Sequence, residues 1–205
     1  MKVIGLTGGS GCGKGAFGKA LFHLGAVLID TDDVYHSLIA GPSACTQELI
    51  LHFGEDIRNE NDGIDRPTLA KKVFLGNEEE KKTLSLLNKI THFHVLNEVR
   101  RQIEQKAAEG SLVVVVDAPL LFESGFDKEC HTTLAVLAPY ELRLKRIMER
   151  DSLTQEAAEA RLRAQPPDSF YEKNAKHLIY NDGTIEDLFA KAQLFWQQNI
   201  EKSRK

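Results

Sequence analysis

The sequence predicts an α/β fold, a P-loop kinase core in which a parallel sheet is flanked by helices. Three observations lead there. A short apolar segment at 3–7 runs into Gly8-Gly9-Ser10-Gly11-Cys12-Gly13-Lys14 and then into a helical pattern. Uncharged, β-branched segments recur at 27–29, 112–116 and 132–137. Helical patterns separate them, so the strands are expected to be buried on both faces.

Residues 3–7 form the first expected strand. From Lys14 to Leu24 the spacing is helical, with Phe17, Leu21 and Leu24 on one stripe and Gly25 as the stop. The second strand, 27–29, closes on Asp30-Thr31-Asp32-Asp33, residues that suit the start of a helix near Asp33. Residues about 41–110 are too many for a simple crossover and read as an α-helical insertion. Within it a long charged helix over 78–108 turns Leu84, Leu87, Ile90 and Val95 inward. The third strand ends at Asp117, and the fourth covers 132–137. Pro139 opens a helix to about Asp151, a second covers about 155–164, and Pro166-Pro167 stops it. A fifth strand at 177–180 turns through Asn181-Asp182-Gly183, and Thr184 caps a last helix to about Lys202. The expected organisation is one unit: a core of 1–40 and 111–205, the insertion at about 41–110, and a lid at about 143–168.

Lys plus Arg number 26 against 30 Asp plus Glu in 205 residues, a formal charge of −4. An anionic ligand must then be held by a local cluster, and neither a nucleic-acid nor a membrane partner is expected. The three cysteines are odd in number and show no CxxC spacing, against a disulfide framework or a zinc site. No apolar run approaches the about 18 residues that span a bilayer. A reducing, cytoplasmic setting is expected.

The glycine run matches GxxxxGK, and its place between strand and helix is the context that gives the motif meaning. Glycines let backbone N–H groups turn in around phosphates, and the helix N-terminus adds a favourable partial charge. Gly8, Gly9, Gly11, Cys12, Gly13, Lys14, Gly15 and Ala16 are the expected nucleotide contacts, with Lys14 reaching the β- and γ-phosphates. The motif normally continues with a Ser or Thr whose hydroxyl meets Mg²⁺. Here Gly15 and Ala16 offer none, so the expected cofactor, Mg²⁺ with ATP, loses one protein ligand, a place that a water can take.

Asp30 and Asp32 admit two readings at this point. Either can accept a proton from an attacking hydroxyl or hold Mg²⁺, and either can cap the helix. Asp117 reads as a metal-directed carboxylate or as a plain strand terminus. Arg143, Arg146 and Arg150 fall three and four apart, on one helix face. Interleaved with Glu141, Glu149 and Glu159, Arg143 and Arg163 are expected on a solvated face. His92 and His94, two apart, point to different sides of a helix, which is poor metal geometry. The thiol of Cys12 reads as a small side chain tolerated in a tight turn, although its place near Lys14 could lower its pKa.

These residues resemble the dephospho-CoA kinase family over nearly the whole chain. The resemblance lies in Gly-Leu-Thr-Gly-Gly-Ser-Gly-Cys-Gly-Lys, Ile29-Asp30-Thr31-Asp32, Asp62-Gly63-Ile64-Asp65-Arg66 and Leu87-Asn88-Lys89-Ile90-Thr91-His92. It continues in Pro119-Leu120-Leu121-Phe122-Glu123, Arg146-Ile147-Met148-Glu149-Arg150-Asp151, Ala164-Gln165 and Ile179-Tyr180-Asn181-Asp182-Gly183. The resemblance implies transfer of phosphoryl from ATP to the ribose 3′-hydroxyl of dephospho-CoA. It implies Asp32 as catalytic base and, with Asp117, as metal ligand. Arg146 and Arg150 would serve the phosphates and lid, Asn181 the nucleotide, and Arg66 and His92 the acceptor in a CoA-binding insertion. The chain departs from the family pattern at Gly15, His36, Phe93, Pro166, Tyr171 and Lys176. A nucleoside monophosphate kinase and a nucleotide-binding paralogue without full activity remain the alternatives.

Overall fold

The computed structural model describes residues 1–201. Strands β1 (Lys2–Thr7), β2 (Val27–Asp30), β3 (Val113–Asp117), β4 (Thr132–Leu137) and β5 (His177–Tyr180) form one sheet in the order β2-β3-β1-β4-β5. β1 runs parallel to β3, with Leu6 opposite Asp117, and parallel to β4, with Thr7 opposite Ala135. β4 and β5 are also parallel. Every residue of β3 is buried, as a strand covered on both faces requires.

The helices are α1 (Lys14–His23), α2 (Thr31–Ile39), α3 (Ala44–Phe53), α4 (Arg66–Val73), α5 (Glu80–Ala108), α6 (Tyr140–Asp151), α7 (Gln155–Arg163), α8 (Asp168–Asn174) and α9 (Ile185–Trp196). No helix among the described residues is long and apolar enough to cross a membrane. Two compact units divide the chain: one holds Met1–Ile29 and the chain from Lys106 on, the other Asp30–Gln105. In the first unit, Ile4 and Leu6 of β1 join Val115 and Leu134, with Phe17 and Leu21 of α1 and Leu188 of α9, in one buried cluster. Phe17 meets Phe195 of α9 edge to face. The second unit is helical and has its own core, in which Ile39, Leu49, Ile57, Leu69 and Ile90 are buried and Leu84 and Leu87 pack beside them.

Capping explains where several helices begin. Thr184 and Asp187 form a reciprocal box at α9, the Thr184 hydroxyl accepting from Asp187 N–H at 3.2 Å and the Asp187 carboxylate from Thr184 N–H at 2.9 Å. Asp30 caps α2, which therefore starts at Thr31, two residues before the expected point. α8 is an addition to the sequence reading. Pro167, at φ −68°, is not only a stop for α7 but the N-cap of a new helix. After α9 the chain continues in a wider π turn over Gln197–Glu201. The end expected at Lys202 lies outside the described residues.

Candidate active site

The loop between β1 and α1 turns on glycines. Gly11 has φ 75° and Gly13 φ 93°, conformations that side chains rarely adopt. A Cβ on Gly11 would sit 2.6 Å from the Arg143 carbonyl oxygen, and one on Gly13 would strike the Asn181 amide. Gly13 precedes α1 without a side-chain cap, and no acidic residue stands in the first turn. The N–H groups of that turn have no intrahelical acceptor and suit an anion. Lys14 opens α1, and its ammonium pairs with the carboxylate of Asp117, buried at the end of β3. Gly8 and Gly9 are buried, Gly15 is exposed and Ala16 half-buried. Nothing lies within 4 Å of a Cβ placed on Gly15.

One side chain from outside the loop holds it at Cys12. Asn181, buried after β5, donates from its amide to the Cys12 carbonyl at 2.8 Å. Cys12 itself is buried, and burial pushes its thiol up, outweighing the nearby Lys14, so the reading as a small packed residue is the one that stands.

The arginines divide differently from the sequence expectation. Arg143, expected on a solvated face, is buried. Its guanidinium donates to the Ser10 carbonyl at 3.0 Å, to Gln165 Oε1 at 3.0 Å and to Asp168 at 3.1 Å. Of the glutamates that suggested solvent, Glu141 and Glu149 are exposed on α6 and Glu159 lies on α7. Arg146 donates to the Gly11 carbonyl at 3.2 Å. Arg150, one turn further, is 57% exposed and forms two 2.8 Å hydrogen bonds to Asp151. Arg150, with Arg161 beside it, holds the Asp151 carboxyl below its usual range. Arg163 pairs with Glu159 in solvent, as expected. Gln165 had drawn no role from the sequence, yet it accepts from Ser10 N–H at 2.9 Å.

In the helical unit, Asp30 accepts from the N–H of Asp32 at 2.8 Å and of Asp33 at 3.4 Å. Capping thus falls to Asp30 and leaves the Asp32 carboxylate exposed in the first turn of α2. Arg66 begins α4 and borders a groove of about 540 Å³ with Tyr35, Pro67, Leu69, Phe74 and Leu87. Burial raises the Tyr35 hydroxyl pKa, and the neighbouring Arg66 charge opposes it. His92 is half-buried on α5, and His94 on the same helix meets Glu48 at 2.7 Å. No group of three or more His, Cys, Asp or Glu among the described residues could hold a metal alone.

The family model for dephospho-CoA kinase matches residues 2–187. This chain belongs to the dephospho-CoA kinase family. It is 36% identical to the dephospho-CoA kinase of Moorella thermoacetica over 97% of its own length and 92% of the relative's. It is 38% identical to that of Fusobacterium nucleatum, over 95% and 97%. Among solved structures, the dephospho-CoA kinase from Campylobacter jejuni aligns over 96% of both chains with a TM-score of 0.62 and 28% identity. A dephospho-CoA kinase is an ATP-dependent phosphotransferase.

Proposed function

We propose that the chain transfers the γ-phosphoryl group of ATP to the ribose 3′-hydroxyl of dephospho-CoA, giving CoA and ADP. The observation that carries this reading is Lys14, which leaves a glycine loop at a helix start and meets the Asp117 carboxylate. A bond forms from the acceptor oxygen to phosphorus while the bond to the β-phosphate oxygen breaks. We assign Asp32 as the base that takes the hydroxyl proton, because its carboxylate is exposed while Asp30 does the capping. The N–H groups at the start of α1, Lys14 and Arg146 stabilise charge on the phosphates. Arg150 stands at the tip of the hairpin formed by α6 and α7, and we assign it to the closing lid.

Mg²⁺ fits the oxygen chemistry present. It commonly keeps several waters and takes one or two carboxylates with the substrate phosphates, so it needs no all-protein cage, and none is present among the described residues; we assign Asp117 and Asp32 each as a candidate carboxylate ligand. Bound there, it would neutralise phosphate charge. The groove bordered by Arg66 is our candidate for the acceptor: a cationic rim suits a phosphate group, and Phe74 and Leu87 suit an apolar arm. His92 belongs to the same helical unit and is assigned to acceptor binding. A cytoplasmic site of action fits three free, buried cysteines.

The test is ADP release with dephospho-CoA beside AMP, CMP and UMP. We expect dephospho-CoA to exceed every nucleotide by a wide margin. Faster turnover of a nucleoside monophosphate would replace this reading with that of a nucleotide kinase.

A further inference from the structure

The hairpin of α6 and α7 has a small core of its own, in which Leu144, Ile147, Ala158 and Leu162 are buried together. Its tip carries the exposed Arg150 and the half-buried Asp151, to which Arg161 of the last turn of α7 reaches at 2.7 Å. Its two feet, by contrast, close on a single residue of the phosphate loop. Arg143 comes from the near end of α6 and Gln165 from just beyond α7.

Ser10 gives all its polar groups to these two side chains. Its carbonyl accepts from Arg143 Nε at 3.0 Å, its N–H donates to Gln165 Oε1 at 2.9 Å, and its hydroxyl accepts from Gln165 Nε2 at 2.7 Å. Arg143 and Gln165 are themselves joined at 3.0 Å, and Asp168 holds the other edge of the guanidinium at 3.1 Å. The fit is close: a Cβ on Gly9 would strike the Arg143 guanidinium. A loop with glycine at 8, 9, 11, 13 and 15 has many conformations to lose when it closes on phosphates. A side-chain frame that fixes Ser10 beforehand lowers that cost, which is the general gain of preorganisation.

We propose that Arg143 and Gln165 are positioning residues that set the phosphate loop at Ser10 for nucleotide, and that they tie the loop to both feet of the α6–α7 hairpin. This rests on the reading that the loop takes ATP. Neither side chain need touch the phosphates, because each acts through the Ser10 backbone and hydroxyl.

The experiment measures the Kd for ADP by calorimetry and the KM for ATP and for dephospho-CoA. It uses the full chain as wild type, Gln165→Ala, Arg143→Gln, the double variant and Arg163→Ala. Gln165→Ala should raise the ADP Kd and the ATP KM about tenfold, the scale of one or two lost hydrogen bonds. The KM for dephospho-CoA should stay unchanged, a split that loss of fold stability alone does not produce. The double variant should be scarcely worse than the weaker-binding single variant, because both substitutions break one network. Arg163→Ala, on the exposed face of α7, should match wild type. A folded Gln165→Ala with wild-type ADP Kd and ATP KM overturns the proposal, and so do fully additive single effects. Should Arg143→Gln fail to fold, Gln165→Ala decides alone, since it leaves the Arg143 bonds to Ser10 and Asp168 in place. A wild type that binds no ADP would overturn instead the reading on which this rests.

Discussion

α1 and α2 each begin where a strand ends, and they begin in opposite ways. α1 follows a glycine loop, has Gly13 as an N-cap without a side chain, and carries no acid in its first turn. α2 follows β2 directly, is capped by the Asp30 carboxylate, and adds Asp32 and Asp33 in the first turn. The partial positive charge at a helix start is the same in both. At α1 it is left for an incoming anion and strengthened by Lys14. At α2 it is met by the chain's own carboxylates, which leaves Asp32 as surplus negative charge in solvent. The cap residue, and not the helix, decides whether a strand–helix junction is left open to an anion or already carries negative charge.

Removing the cation from the first junction should have the largest effect. Lys14→Ala should lower the rate of ADP release about 10³-fold, the upper range for losing one preorganised donor, and should weaken ADP binding in a calorimetric titration. At the second junction, Asp32→Asn should lower turnover about 10²-fold, as for a positioned acid–base group, with ADP affinity little changed. Near-normal turnover in Asp32→Asn would return that carboxylate to a merely electrostatic part in the helix start. Asp30→Ala sharpens the division. It should cost about 1 kcal/mol in a urea titration, through loss of the cap, with a smaller drop in turnover than Asp32→Asn. The reverse order of turnover effects would make Asp30 the base.

The α1 junction was legible in the sequence because its chemistry is local: strand, glycines, Lys14 and helix follow one another within the first 24 residues. The strands were legible for the same reason, as uncharged β-branched runs. The split between Asp30 and Asp32 was not, since either carboxylate suits a cap and only the backbone geometry shows which one accepts the N–H groups. Arg143 defeated the reading because burial of a cation depends on partners distant in sequence: Ser10 lies 133 residues away and Asp168 lies 25. α8 was missed because one proline pair both ends a helix and starts another, and local propensity shows only the ending. The groove beside Arg66 joins residues of several helices and has no linear signature.

The smallest expected effect concerns Gly15, which makes the α1 junction barer than a phosphate loop usually is. Gly15 is exposed, and a Cβ there meets nothing within 4 Å, so a serine fits without displacing a neighbour. Two gains are then separable. Any residue better than glycine in the first turn stabilises α1, by about 0.5–1 kcal/mol for alanine. Only a hydroxyl can offer Mg²⁺ an oxygen in place of a water. Gly15→Ala and Gly15→Ser should therefore both raise the thermal midpoint, whereas only Gly15→Ser should lower the magnesium needed for half-maximal ADP release, on the order of a few-fold. ADP binding in the presence of a chelator should be alike in all three proteins, since without metal the hydroxyl has nothing to hold. Identical magnesium curves for Gly15→Ser and Gly15→Ala would mean that carboxylates and water already complete the metal shell. In that case the bare start of α1 serves the phosphates alone.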